Sequence, residues 1–202
     1  MGEPGAPDWT AADTLHVFMR LRCEPEDIPE DVLNPFGKGP YLSLEEELRL
    51  INKQVEDSEG FDINFKEFRD IYNYQPVDFD DKEYVMPPET HGELMDRLSR
   101  DSLEIYNERK GTRFELVKVF KANYHETGIP ATMYFITFQG KDPSDDDEPK
   151  DFRAKVCHFS YSPNKYHSCE LKPVKNVHFI ETEEQEYAKK RRLAEELSNA
   201  GK

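Results

Sequence analysis

Cysteine is scarce in this chain: three residues, Cys23, Cys157 and Cys169, among 202. The count is odd, and Met1 to Pro7 has no apolar stretch of the kind a secretory leader carries, so reduced thiols in a cytoplasmic or nuclear protein are expected, not a secreted disulfide scaffold. Ala6 stands where a myristoylation motif would place Ser or Thr. No apolar run approaches the roughly 20 residues that a membrane-spanning helix needs, so no membrane association is expected. There is no Asn-x-Ser/Thr acceptor. The chain also lacks a Gly-rich phosphate loop, a His-Glu-x-x-His pair and a Gly-x-Ser-x-Gly elbow, and with them the simplest routes to phosphoryl transfer, zinc proteolysis and acyl transfer. The acidic tract Asp142 to Asp151 fails the calcium-loop pattern, with Asp147 where Gly is needed and Arg153 where the bidentate Glu belongs. No cofactor, no metal and no enzymatic activity are expected.

Charge is plentiful. It makes up 34% of residues, and the net charge is −15. Residues 1–80 carry 7 Lys/Arg against 19 Asp/Glu, whereas residues 81–202 carry 20 against 23. The acidity therefore belongs to the N-terminal part. Such a surface disfavours nucleic acid, whose phosphates need clustered cations, and suits a basic protein partner.

Periodicity and punctuation divide the chain into an acidic N-terminal extension (1–82), a central domain (83–178) and a charged C-terminal helix (179–202). Residues 1–9 read as a disordered lead. Thr10 to Cys23 fits either an alternating strand or one helical face. Residues 24–42, with four prolines and two glycines, read as a loop or linker. Ser43 and Glu46 form a capping box ahead of a helix over 43–59, with Gly60 as a left-handed C-cap. Phe61 to Tyr74 reads as a short helix near Phe65 or as an extended arm. Thr90 and Glu93 form a second capping box. Behind it His91, Leu94, Met95, Leu98, Ser102, Ile105 and Tyr106 share a core-facing stripe. Strands are predicted over 114–124, 132–139, 152–162 and 165–172, the last two as a hairpin about Pro163 and Asn164. The expected fold is α+β, with one helix packed across an antiparallel sheet of about four strands. The block Lys189-Lys190-Arg191-Arg192 resembles a nuclear localisation signal, but i,i+4 pairs such as Glu186 with Lys190 equally describe a salt-bridged solvated helix.

Two constellations bear on chemistry. Cys157 and His158 are adjacent on a strand, so they point to opposite faces and form no dyad with each other. Cys157 and Cys169 are equidistant from Pro163. A tight turn there would set them opposite one another, permitting a disulfide or, with His167, a set of zinc-type ligands.

Four ordered segments carry a family likeness. Leu98-Ser-Arg-Asp-Ser-Leu-Glu-Ile-Tyr-Asn107 resembles the helix signature of plant cystatins. Phe114 to Asn123, Met133 to Asp142 and Phe152 to Val156 resemble the strands that follow it. The whole resembles the cystatin-related proteins of plants, within the cystatin/monellin-like superfamily, including their acidic extension and a Pro-Pro-Glu-Thr-His start at Pro87. The likeness implies a cystatin-like fold. Inhibitory cystatins block papain-type proteases with an N-terminal Gly segment, a Gln-x-Val-x-Gly loop and a Pro-Trp loop. The matching positions here are Tyr124, His125, Glu126, Thr127 and Gly128, then Pro163 and Asn164. Only Gly128 and Pro163 agree. Glu126 puts a charge where an apolar residue would insert, and no Trp follows Pro163. The expectation is a non-enzymatic protein acting through protein–protein contacts, with diverged inhibition of papain-type proteases as the alternative.

Overall fold

The computed structural model describes residues 16–21, 23–35, 41–82, 89–127, 131–144, 148–159 and 162–173. The disordered lead, Gly128 and the C-terminal helix with its basic block lie outside these residues.

The chain folds as an α+β protein around one antiparallel sheet. Its strands are β1 (Tyr74–Pro76), β2 (Glu115–Glu126), β3 (Ala131–Lys141), β4 (Lys150–Phe159) and β5 (Lys165–Leu171), paired in that spatial order. Four of them match the sequence expectation to within a few residues; β1 is an additional edge strand. The long helix, α3 (His91–Lys110), crosses one face. It begins with the expected capping box: Thr90 Oγ1 accepts from Glu93 N at 3.2 Å and Glu93 Oε2 accepts from Thr90 N at 2.8 Å. It stops at Gly111, whose φ of 69° suits a residue without Cβ. Leu94, Met95, Leu98, Leu103 and Tyr106 bury against Ile136, Phe138, Phe152, Ala154 and Val156. Ile105, assigned to the stripe by sequence, is 43% exposed, and Leu103 is buried instead. The contact stripe drifts across the helix surface along its length, as packing over a twisted sheet requires.

On β3, Tyr134, Ile136 and Phe138 face α3, and Met133 and Phe135 face the other way, yet all five are buried. Both faces are therefore covered. The second cover is the N-terminal part of the chain. Val17, Leu33, Ile51, Val55, Phe61, Ile63, Phe68, Ile71 and Tyr74 form one core with Met133, Phe135 and Cys157. The segment at 16–20 is extended: Met19 bridges Tyr72, Phe18 N donates to Asn73 Oδ1 at 2.9 Å, and Arg20 N donates to Ile71 O at 2.7 Å. The proline-rich stretch is not a free linker. It holds a 3-10 turn (Pro25–Asp27) and a short α1 (Glu30–Leu33). Leu33 is buried, and Asn34 donates to Phe68 O at 2.9 Å.

Helix α2 (Leu44–Ser58) opens with the Ser43/Glu46 capping box. At its end Glu59, not Gly60, is the left-handed cap, with φ 55°. Gly60 has its own reason to lack a side chain. Its φ is 85°, and a Cβ there would lie 2.7 Å from the Phe135 ring. It lets the chain touch the sheet. Phe61 then packs edge-on against Phe135 at 5.5 Å, and Asn123 Nδ2 donates to the carbonyls of Gly60 and Phe61, each at 3.0 Å. Of the two readings of Phe61 to Tyr74, the short helix is met in part: a 3-10 helix forms at Phe65–Glu67, and the chain then enters β1.

Candidate functional site

The positions matched to the first inhibitory loop do not form a loop up to Glu126. Tyr124, His125 and Glu126 belong to β2, and β1 pairs alongside them, Tyr74 with His125 and Gln75 with Tyr124. Glu126 N donates to Asn73 O at 3.1 Å. His125 is only 2% exposed, and its ring stacks on Tyr74 with centroids 4.7 Å apart. Burial, helped by the charge of Lys155 and by His16, lowers its pKa to about 4, so the ring is neutral near pH 7. Glu126 stays exposed and lies 3.5 Å from Arg20, which also binds Asp70 at 2.7 Å. Thr127 donates to Ala131 O at 2.7 Å.

The second hairpin is anchored sideways to α3. Pro163 is exposed. Asn164 Oδ1 meets His158 Nδ1 at 2.8 Å, its amide reaches the Tyr166 hydroxyl at 3.4 Å, and that hydroxyl donates to Asp101 at 2.5 Å. Burial, then the hydrogen bond to Asp101, pushes Tyr166 up to about 12. Glu89 and Arg97 form a bidentate pair nearby, at 2.8 and 2.9 Å.

The cysteine geometry corrects the symmetric-turn argument. β4 and β5 pair Cys157 with Lys165 and Ala154 with Cys169, with a register shift between Lys155 and Val156. Cys157 lies in the core under the N-terminal cover and Cys169 in the core under α3, so the sheet separates them. No disulfide joins them; both are free thiols. Burial raises the pKa of each, that of Cys169 to about 12, which leaves neither as an activated nucleophile. Among the described residues no group of three His, Cys, Asp or Glu side chains is arranged to hold a metal ion, and no helix is long and apolar enough to cross a membrane.

The polar groups that sequence reasoning missed lie where the N-terminal cover meets itself and the sheet. Asp62 bridges Lys121, at 3.3 Å, and Arg153, whose guanidinium also sits over the Phe61 ring at 5.0 Å. Glu47 is fully buried, 3.3 Å from Arg69. Burial raises its pKa to about 7, although Arg69 and the Tyr72 hydroxyl pull it down. A signal for Glu47 was present: it is three residues after Leu44 and four before Ile51, inside the apolar stripe. These groups secure the cover. No protein-family model matches the chain, and no curated protein matches its sequence.

Proposed function

We propose that this chain is a non-enzymatic, cystatin-like protein that works by contacting another protein and does not block papain-type proteases. One observation carries the reading. Tyr124 and His125, at the first inhibitory-loop positions, are engaged within the molecule: β1 pairs along them, and His125 is buried on Tyr74. A protease-blocking wedge needs tips that leave water only when they enter the cleft. Residues already desolvated inside their own protein have nothing to give there, and the exposed Glu126 would have to shed its hydration and its Arg20 contact. The helix across an antiparallel sheet supports the cystatin-like comparison, and the second cover on the sheet is its distinguishing feature.

The decisive experiment is a titration of the full chain against papain. The expected result is no inhibition at equimolar enzyme and protein. Stoichiometric, tight inhibition would overturn the reading in favour of a diverged inhibitor.

A further inference from the structure

Beside α3 an open groove of about 540 Å³ runs between the solvent-side edge of the helix and the start of β2. Its floor is apolar: Leu103, fully covered, with the half-buried Phe114 and Leu116. Its rim is acidic: Glu104 and Glu108 from successive turns of α3, and Glu115 from β2, all exposed. Resting on the protein-contact reading above, we propose that this groove receives a short segment of a partner protein in which apolar side chains alternate with Lys or Arg.

Two observations support that occupant. The groove is preformed. Asn107 ties helix to strand, donating to Phe114 O at 2.8 Å and accepting from Phe114 N at 2.9 Å and Thr112 Oγ1 at 2.8 Å, so little ordering is left for binding to supply. Among the described residues the rim carboxylates have no cation of their own. Elsewhere on and beside α3 acids are paired, Glu89 with Arg97, Asp96 with Arg100 and Glu170 with Arg109. Among the described residues no Lys, Arg or His lies within ion-pair distance of Glu104, Glu108 or Glu115. Arg100, the one cation lining the groove, is held by Asp96 at 3.6 Å. Lys150 Nζ sits 5.7 Å from the Phe114 ring centroid, so that ring already carries a cation of this chain, and an incoming Lys or Arg would meet the rim carboxylates.

The geometry also selects the mode of binding. β1 pairs with β2 along Asn123 to His125, and Val77 N donates to Ala122 O at 2.9 Å; among the described residues no strand pairs with the outer side of β2 before Ala122. That part carries register shifts between Leu116 and Lys118 and between Val119 and Lys121. Bulges of this kind discourage addition of a further strand, so the segment binds by inserting side chains into the groove.

The test uses the full chain and a fluorescein-labelled peptide of alternating Leu and Lys, read by fluorescence anisotropy, with a Leu/Glu peptide as its counterpart. The expected result is saturable binding of the Leu/Lys peptide alone, weakened by added salt. The triple variant E104Q/E108Q/E115Q should lose about tenfold in affinity or more, the sum of three exposed charge contacts. The triple variant E45Q/E56Q/D57N, which removes the same charge from the exposed face of α2, should change it by less than about twofold. Equal losses in the two triples, or none in either, would mean diffuse attraction to an acidic protein and would overturn the groove. Absence of binding would do the same. Tenfold tighter binding when Lys189, Lys190, Arg191 and Arg192 are replaced by Gln would show that the chain's own basic run is the occupant, which also overturns the partner proposal. None of these outcomes touches the papain titration: a groove that fails while papain stays active leaves the protein-contact reading in place with another surface, and papain inhibition removes that reading whatever the peptide does.

Discussion

On one face of the sheet α3 rests on Ile136, Phe138, Phe152, Ala154 and Val156, and its charged contacts, Asp101 with Tyr166 and Arg109 with Glu170, lie at the β5 edge. On the other face the N-terminal cover brings Phe61, Ile63, Ile71 and Tyr74, with the buried polar groups Glu47, Asn123, His125 and Arg153, whereas the buried polar side chains of α3 are the small Ser99 and Ser102. The contrast separates two ways of attaching an element to a sheet. The helix is held by apolar area, which is non-directional and tolerant of small slides. The N-terminal cover buries apolar area too, and in addition its position is specified by directional contacts, Asn123 to Gly60 and Phe61, and Asp62 to Lys121 and Arg153. Buried polar groups are costly when unpaired and selective when paired, so this face should be the more sensitive to conditions.

The largest expected effects test whether the faces come apart. Phe152→Ala and Phe135→Ala each empty a fully buried ring site and should each cost about 3–5 kcal/mol. In urea unfolding, Phe152→Ala should lower the whole transition. Phe135→Ala should release the N-terminal cover first, seen as proteolysis between Pro25 and Tyr74 while the β2–β5 sheet resists. Identical cleavage patterns in the two variants would mean that the faces unfold as one unit.

Protonation sharpens the comparison because two groups on the N-terminal side pull in opposite directions. Glu47 moves from 4.5 to about 7, so between these values the folded state holds a proton that the unfolded chain has lost. Its contribution is fully present below about pH 4.5 and is lost as pH rises through 7, by up to about 3 kcal/mol. His125 moves from 6.5 down to about 4, so its contribution is present above 6.5 and is lost as pH falls toward 4. The two slopes partly cancel in the parent protein between about pH 4.5 and 6.5. Glu47→Gln should therefore match the parent near pH 5 and exceed it at pH 8, and His125→Phe should flatten the acid limb. Urea midpoints measured across pH test both. A Glu47→Gln variant no more stable than the parent at pH 8 would mean that the carboxyl is not forced to ionise in the core.

The helix face was legible in the sequence and the other face was not, for physical reasons. α3 and its strands announce themselves by capping boxes and periodicity, which are local. β1 is three residues ending in Pro76, too short for a pattern, and it exists because β2 offers it an edge. β2 continues through Glu126, where the family likeness places a loop, because Glu126 pairs with Thr132 of β3. The cysteine pairing failed because the hairpin is not centred on Pro163: Cys157 pairs with Lys165, four residues short of Cys169, and the register shift between Lys155 and Val156 then turns Cys169 to the opposite face. The likeness located Tyr124 to Thr127, Pro163 and Asn164, but nothing local in the sequence marks Asp62 as the partner of Arg153, 91 residues away.

A smaller effect bears on how the cover is positioned. Asp62→Asn keeps the shape and removes the charge between Lys121 and Arg153. Asp62 is about a quarter exposed, so the expected cost is about 1–2 kcal/mol, below that of breaking a fully buried pair. Raised salt should weaken the parent more than the variant. Equal salt responses would mean that the cover is positioned by Phe61 and Asn123 alone.

The smallest effect is the best controlled, because the same local device occurs in the element on each face. Ser43→Ala removes the cap of α2 and Thr90→Ala that of α3. Each takes one side-chain acceptor from one helix start, so each should cost about 1 kcal/mol of local helix stability. Any difference between them then reports coupling to the sheet and not capping chemistry. If the N-terminal cover unfolds as its own unit, Ser43→Ala shifts only the first step in urea, and Thr90→Ala shifts the loss of the sheet. If the polar contacts on the N-terminal side bind the two faces into one cooperative unit, both variants lower a single midpoint by the same amount.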